Sequence, residues 1–293
     1  MATAASHSVG AAFDLAAYLD RIGLDAPPPA SVEGLALLVR AHRLSIPFEN
    51  LDIPLGRGIS LDPDAVFDKL VRQRRGGYCF EQNALLDRAV AALGIEGRPL
   101  LGRVWLRLEG DDDVPPLTHQ LELVTIDGDP WIIDAGFGGS LSPPLRLAEG
   151  ETEPEPDGTR FRLRRHDRFG WMLERRGPPT SMDASDEAGA VWQRQYSFTT
   201  DPVHPADMEL GNCWTSMQPG TLFTSILLVS RITGNGFTMM MGNSLRTREP
   251  SKASEVVIES AAALHDALHR NFDIALEETE VGRLFEFANG RSL

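Results

Sequence analysis

Arg74-Arg75-Gly76-Gly77-Tyr78-Cys79-Phe80-Glu81-Gln82-Asn83 is the stretch from which the rest of the chain is read. Two glycines precede a cysteine, and a helical spacing follows, with Phe80, Ala84, Val90 and Leu93 on or near one face and Gly94 as C-terminal cap. Cys79 therefore stands in the first turn of a helix, where the partial positive charge of unpaired amides favours a thiolate. The glycines also remove side-chain bulk from the front of the sulfur, where a substrate carbonyl would approach. A cysteine alone is more often a small buried hydrophobe. The paired glycines and flanking arginines turn the reading toward a nucleophile, although a solvated face accounts for the arginines by themselves.

Upstream of this stretch the periodicity is helical. Leu15, Leu19 and Ile22 share one face. Ser31 caps a second helix whose stripe is Leu35, Leu38, Val39 and His42, and Asp62-Pro63 opens a third carrying Val66, Phe67, Leu70 and Val71. Downstream, from about Arg98, the period changes to two over residues 101–107, 119–126 and 131–134, and Asp127-Gly128 supplies a hairpin turn between the last two. Residues 149–158 are acidic and proline-bearing and read as a surface loop, followed by strand-like runs at 161–163 and 171–173 and a polar loop at 178–189. After Asp201 come an apolar run at 223–229, a turn at Gly234-Asn235-Gly236, a strand at 237–241 and a helix near 256–269. The fold class is α+β in three units: residues 1–95 carrying the cysteine on a helical bundle, a β-rich unit at 96–200, and an α/β unit at 201–293.

A nucleophilic cysteine requires a base and a group that orients it. Seven histidines compete. His119 begins the strand His119, Leu121, Leu123, and pairing that strand with residues 131–134 across Asp127-Gly128 sets Asp134 opposite Leu121, diagonal to His119 on the same face. A strand-end histidine or a carboxylate before Ala135-Gly136 is commonly structural; it is the joint pattern, Cys79 then His119 then Asp134, that follows the logic of papain-like sites.

The net charge of −14 opposes binding to nucleic acid or an anionic membrane surface. Two cysteines in 293 residues do not make a disulfide framework, so reduced thiols in the cytoplasm are expected. Residues 1–13 contain no Lys or Arg and no long apolar run, which fits neither a signal peptide nor a membrane span. Self-association is left open.

The chain resembles the arylamine N-acetyltransferases from about Leu19 to the C-terminus. The resemblance is carried by Ile46-Pro47-Phe48-Glu49-Asn50-Leu51, by residues 75–83, by Thr118-His119, by Asp134-Ala135-Gly136-Phe137-Gly138, and by the region of Asn212 and residues 219–223. It implies a helical bundle, a β-barrel and an α/β lid. It also implies acetyl transfer from acetyl-CoA to an arylamine or hydrazine through a thioester on Cys79, with His119 and Asp134 completing the triad and no metal. By the same resemblance Phe48, Val104, Phe137 and Phe223 line the acyl and arylamine pocket, and Thr118, Gly138, Trp214 and Thr221 meet coenzyme A. Cys213 departs from the family pattern beside Trp214. Alternatives are an amide synthase of the same family that closes a macrolactam, a hydrolase using the same triad, and a binding protein that keeps the fold without catalysis.

Other motifs carry less. His265 and His269 stand at i and i+4, but Asp266 replaces the glutamate that zinc proteases use as base. Gly136-Phe137-Gly138-Gly139-Ser140-Leu141 lacks the last glycine of a dinucleotide fingerprint. Met239-Met240-Met241 reads as packing.

Overall fold

The computed structural model describes residues 12–290 apart from 107, 109, 139, 181–190, 235, 250 and 251. Most of residues 1–13 and of the polar loop expected at 178–189, together with Arg107, Gly139 and Asn235, lie outside the described residues. Helix α1 (Leu15–Ile22) begins at Asp14, whose carboxylate accepts from Ala17 N, and stops at Gly23, where φ is 73°. Helix α2 (Val32–Ser45) is capped by Ser31, whose hydroxyl accepts from Gly34 N. A two-residue strand, β1 (Phe48–Glu49), follows. Asp62 and Pro63 start α3 (Pro63–Phe67), which runs on into a π-helical turn at Asp68–Arg72 instead of continuing as one α-helix.

The helix that opens on Cys79, α4 (Cys79–Ala92), packs between these helices and the sheet. Leu35, Leu38, Leu70, Leu85 and Leu86 are fully buried there, each contributing about 2 kcal/mol from removal of apolar surface from water.

The central sheet comprises β2 (Glu96–Val104), β3 (Leu117–Ile126), β4 (Asp129–Ile133), β5 (Leu145–Arg146), β6 (Gly150–Glu151), β7 (Arg160–His166), β8 (Gly170–Arg176) and β9 (Gln193–Phe198). All its pairings are antiparallel, in the order β5-β4-β3-β2-β9-β8-β7-β6. The end strands β5 and β6 are joined by residues 147–149 alone, which hold their ends within roughly 14 Å of each other. A flat ladder of eight strands would keep its edges about 34 Å apart. The sheet must therefore curl. No ladder joins β5 to β6 among the described residues, so the barrel expected from the family is here a curled half-barrel.

Strand β3 is buried on both faces. Leu121 points into the curled sheet with Leu100, Phe161 and Tyr196, while Val124 and Ile126 pack against the helices. The second face is not wholly apolar: Gln120 and Glu122 are buried on it, hydrogen-bonded to each other.

Beyond the half-barrel lie α5 (Pro205–Met217), α6 (Leu222–Ser225), β10 (Leu228–Thr233), β11 (Gly236–Met241), β12 (Ser244–Glu249), β13 (Lys252–Val257), α7 (Ala261–Phe272) and α8 (Glu278–Ala288). The apolar run at 223–229 is divided between α6 and β10. The helix expected near 256–269 starts later: Val256 and Val257 end β13, and Ser260, accepting from Ala263 N, sets the true N-cap. Helices α5 and α8 go beyond the sequence expectations. In α5 the large apolar residues Leu210, Trp214 and Met217 face outward, so no buried stripe announces it. Strand β1 pairs with β10 through Phe48 and Ser230 and completes the sheet β1-β10-β11-β12-β13. Residues 1–95 are thus not wholly helical: they lend the C-terminal sheet an edge strand.

Candidate active site

Cys79 is the first residue of α4 and is buried. Tyr78 holds extended backbone, and Glu81 reaches back so that its Oε2 accepts from Tyr78 N at 3.1 Å, closing the helix start. Glu81 is itself held by Lys69, whose Nζ lies 2.7 Å from Glu81 Oε1 and 2.7 Å from Asp52 Oδ2. Arg75 donates from Nη2 to Glu49 Oε1 at 2.7 Å and to Asp52 Oδ1 at 3.2 Å. Arg75 is buried in this ion pair and is not a solvated residue; Arg74 is exposed and pairs with Asp273 at 3.1 Å.

The glycines serve a different purpose from clearing the front of the sulfur. A Cβ on Gly76 would meet Pro47 O at 2.2 Å, and one on Gly77 would meet the Glu81 side chain at 2.7 Å. They let the chain pass against β1 and the capping glutamate.

The β3 and β4 hairpin pairs Glu122 with Ile133 and Leu123 with Ile132. Continued by one residue, that register sets Asp134 opposite Leu121, as its turn predicts. His119 Nε2 lies 2.6 Å from Asp134 Oδ2. The other oxygen, Oδ1, accepts from Asn83 Nδ2 at 3.0 Å, Gly136 N at 2.7 Å and Phe137 N at 3.0 Å. Burial pushes the Asp134 carboxyl up, but His119 and these donors prevail and hold it below the usual carboxylate range. Burial likewise disfavours the His119 cation, yet the charge and hydrogen bond of Asp134, aided by the Cys79 thiol, raise it to about 10. Cys79 Sγ donates to Thr118 O at 3.5 Å, next to the imidazole on which its thiol acts.

Cys79 and His119 open onto a cavity of about 360 Å³, with Asp134 behind the imidazole and off the wall. Phe48, Val104, Phe137 and Phe223, expected as the substrate pocket, all line it. Phe223 packs on Phe48 and on Tyr78 with ring centroids 5.8 and 5.7 Å apart. Thr118, Gly138, Trp214 and Thr221, expected near coenzyme A, lie on the same wall. A Cβ at Gly138 would stand 3.4 Å from the Phe48 ring, so this glycine brings the loop after Asp134 against the aromatic wall. Trp214 is half-exposed and shared with a second cavity of about 610 Å³ that also reaches Arg103 and Arg168. Cys213 is exposed, 3.8 Å from Met217 Sδ, and is not on the active-site wall.

Sequence reasoning missed several contributors. Met241 lines the cavity while Met240, the residue before it on β11, is in the core, which strand alternation could have flagged. Asn83, four residues after Cys79 and so on the same helix face, accepts from Ala135 N at 2.8 Å in addition to donating to Asp134. Tyr196 lies against His119 with centroids 4.8 Å apart. Arg43 of α2 donates to Ala135 O and Phe137 O. No local signal marks Tyr196 or Arg43. Among the described residues no group of three His, Cys, Asp or Glu side chains is arranged to hold a metal, and Asp266 of the His265 and His269 helix pairs with Arg270 at 3.2 Å. No helix among them is long and apolar enough to cross a membrane.

A family model described as N-acetyltransferase matches residues 31–281, which sets the class of protein. The arylamine N-acetyltransferase of Mycolicibacterium smegmatis is 37% identical over 273 residues, covering 90% of this chain and 93% of the relative. An arylamine N-acetyltransferase / N-hydroxyarylamine O-acetyltransferase of Salmonella typhimurium is 34% identical, covering 92% and 91%. Among solved structures, the Salmonella typhimurium arylamine N-acetyltransferase superposes with a TM-score of 0.82 at 32% identity, over 92% of this chain and 97% of that one. The Mycobacterium marinum enzyme in complex with CoA gives 0.81 at 32% identity, over 94% and 99%. The chain belongs to the arylamine N-acetyltransferase family.

Proposed function

We propose that the protein transfers acetyl from acetyl-CoA to the nitrogen of arylamines, arylhydrazines or similar amines in two displacements through Cys79. The observation that carries this reading is that Cys79, at a helix N-terminus, and His119, hydrogen-bonded to Asp134, share the wall of one aromatic-lined cavity. The Cys79 thiolate attacks the thioester carbonyl, and the C–S bond to coenzyme A breaks as His119 gives the departing thiolate a proton. The amine then attacks the acyl-cysteine, His119 takes the amine proton, and the Cys79 thiolate leaves the N-acetyl product. Asp134 keeps the imidazole oriented and favours its cation. In this reading backbone amides at the start of α4 stabilise the developing oxyanion. Phe48, Val104, Phe137 and Phe223 offer apolar walls to a flat acceptor, and Thr118, Gly138, Trp214 and Thr221 receive the donor. Two free cysteines are in keeping with a cytoplasmic enzyme, organised as a helical unit, a half-barrel and a lid unit at 1–95, 96–200 and 201–293. The macrolactam-forming alternative draws no support from the relatives described.

Mass spectrometry of the protein mixed with acetyl-CoA should find one acetyl group, on the peptide containing Cys79, discharged on adding an arylamine. Cys79→Ala should form no adduct and fold normally. Transfer activity surviving in that variant would overturn the reading.

A further inference from the structure

The guanidinium of Arg43 is buried beneath the loop that carries Asp134. Its Nη1 donates to Ala135 O at 3.2 Å and its Nη2 to Phe137 O at 2.8 Å, while Nε has no partner. Among the described residues it makes no direct ion pair, and the charge acting on it is that of Asp134. Burial lowers Arg43 to about 10 against that attraction, which leaves it a cation at neutral pH. A buried, incompletely bonded arginine is costly unless its charge is needed.

The charges around the site decide what it is needed for. On β3, burial, with the charges of Asp87 and Asp134 in support, pushes the Glu122 carboxyl well above its ordinary value against a hydrogen bond from Gln120. Tyr196 on β9 and Tyr78 before α4 are raised by burial and stay neutral. The charges that meet through the loop after β4 are those of Arg43 of α2, Asp134, His119 of β3 and, when ionised, Cys79 of α4.

We infer that Arg43 is a positioning residue that balances Asp134 from behind, so that the His119 cation is matched by the Cys79 thiolate. With Arg43 present, the thiolate with the imidazolium leaves the buried group neutral overall. Without it, Asp134 alone balances the imidazolium, and ionising the thiol leaves an uncompensated buried negative charge. The same guanidinium holds the carbonyl of Phe137, whose ring packs on His119 at 5.3 Å, and so sets one cavity wall as well. This inference rests on Cys79 being the acyl carrier.

Two variants separate charge from shape: Arg43→Gln keeps amide donors toward the carbonyls without the charge, and Arg43→Lys keeps the charge without the fork. The rate of iodoacetamide alkylation of Cys79 is followed against pH by site-resolved peptide mass spectrometry, since exposed Cys213 also reacts. Arg43→Gln should raise the midpoint by about one pH unit, a roughly tenfold slower reaction on the acid side. Arg43→Lys should keep the wild-type midpoint. A wild-type midpoint in folded Arg43→Gln overturns the inference, as does a raised midpoint in Arg43→Lys; the latter decides even if the glutamine variant does not fold. Failure of the acyl-carrier reading would register separately, as wild-type protein acquiring no acetyl group on Cys79.

Discussion

Asn83 donates to Asp134 Oδ1 at 3.0 Å, so the helix that presents the thiol also grips the acid of the neighbouring hairpin. The same amide donates to Gln120 O and accepts from Ala135 N. One side chain thus bonds to both sides of the site. Asn83→Ala should lose about 2 to 3 kcal/mol in urea unfolding, because buried partners are left unpaired. Transfer activity should fall with it. A variant of wild-type stability and rate would show that the hairpin orients Asp134 unaided.

Asp134→Asn retains the size of the side chain but removes the charge that sustains the His119 cation. Turnover should drop on the order of a thousandfold or more. Acetylation of Cys79, timed by rapid quench and mass spectrometry, should slow by a similar factor. Unaltered acetylation would assign the cationic form of His119 to another cause.

A Cβ at Gly136 would stand 2.5 Å from Asn83 Nδ2 and 2.7 Å from Cys79 Cα. Gly136→Ala must therefore separate the loop from α4, at a cost of about 1 to 3 kcal/mol from overpacking. Its melting temperature should fall and Cys79 alkylation should slow. An unchanged variant would mean that the loop can move without disturbing the sulfur.

Acid should weaken the protein through His42. Tyr18 OH donates to its Nδ1 at 2.9 Å, and its Nε2 donates to Gln82 Oε1 at 2.6 Å, because the Gln82 amide is spent on Pro47 O and Gly77 O. Burial, opposed by the Gln82 hydrogen bond and reinforced by Arg43 and Arg21, lowers His42 to about 3 from 6.5. A depressed histidine gives stability that is complete above 6.5 and is lost as pH falls toward 3, since the unfolded chain takes the proton first. Between pH 7.5 and 5 this group should cost about 2 kcal/mol of unfolding free energy. His42→Gln should show a correspondingly shallower slope in urea titrations. Equal slopes would exonerate His42.

The local features were legible because each depends on neighbours a few residues away. Ser31 and Asp62 read as helix caps, bonding to amides within three positions; Asp14 and Ser260 cap in the same way but go unread, the latter beside the β-branched Val256 and Val257. The Asp127-Gly128 turn sets the hairpin register, and with it the meeting of His119 and Asp134. Helix α5 escaped because its apolar residues are exposed, and the half-barrel escaped because closure depends on how eight strands twist, not on any one strand's pattern.

The sequence by itself determined that a thiol stands at a helix start, that a histidine and a carboxylate share one hairpin face, and that the motifs are those of an arylamine N-acetyltransferase. Only the tertiary structure decided that β1 joins the far sheet so that Phe48 and Phe223 meet, that Gly76 and Gly77 are packing requirements, and that Arg43 lies beneath Asp134. Arg43 and Ala135 are 92 positions apart, and Asn50 and Leu228, which bond where β1 meets the far sheet, are 178 apart. Capping and turn chemistry act over a few bonds, whereas such distant partners are selected by the packing of whole elements around a shared core.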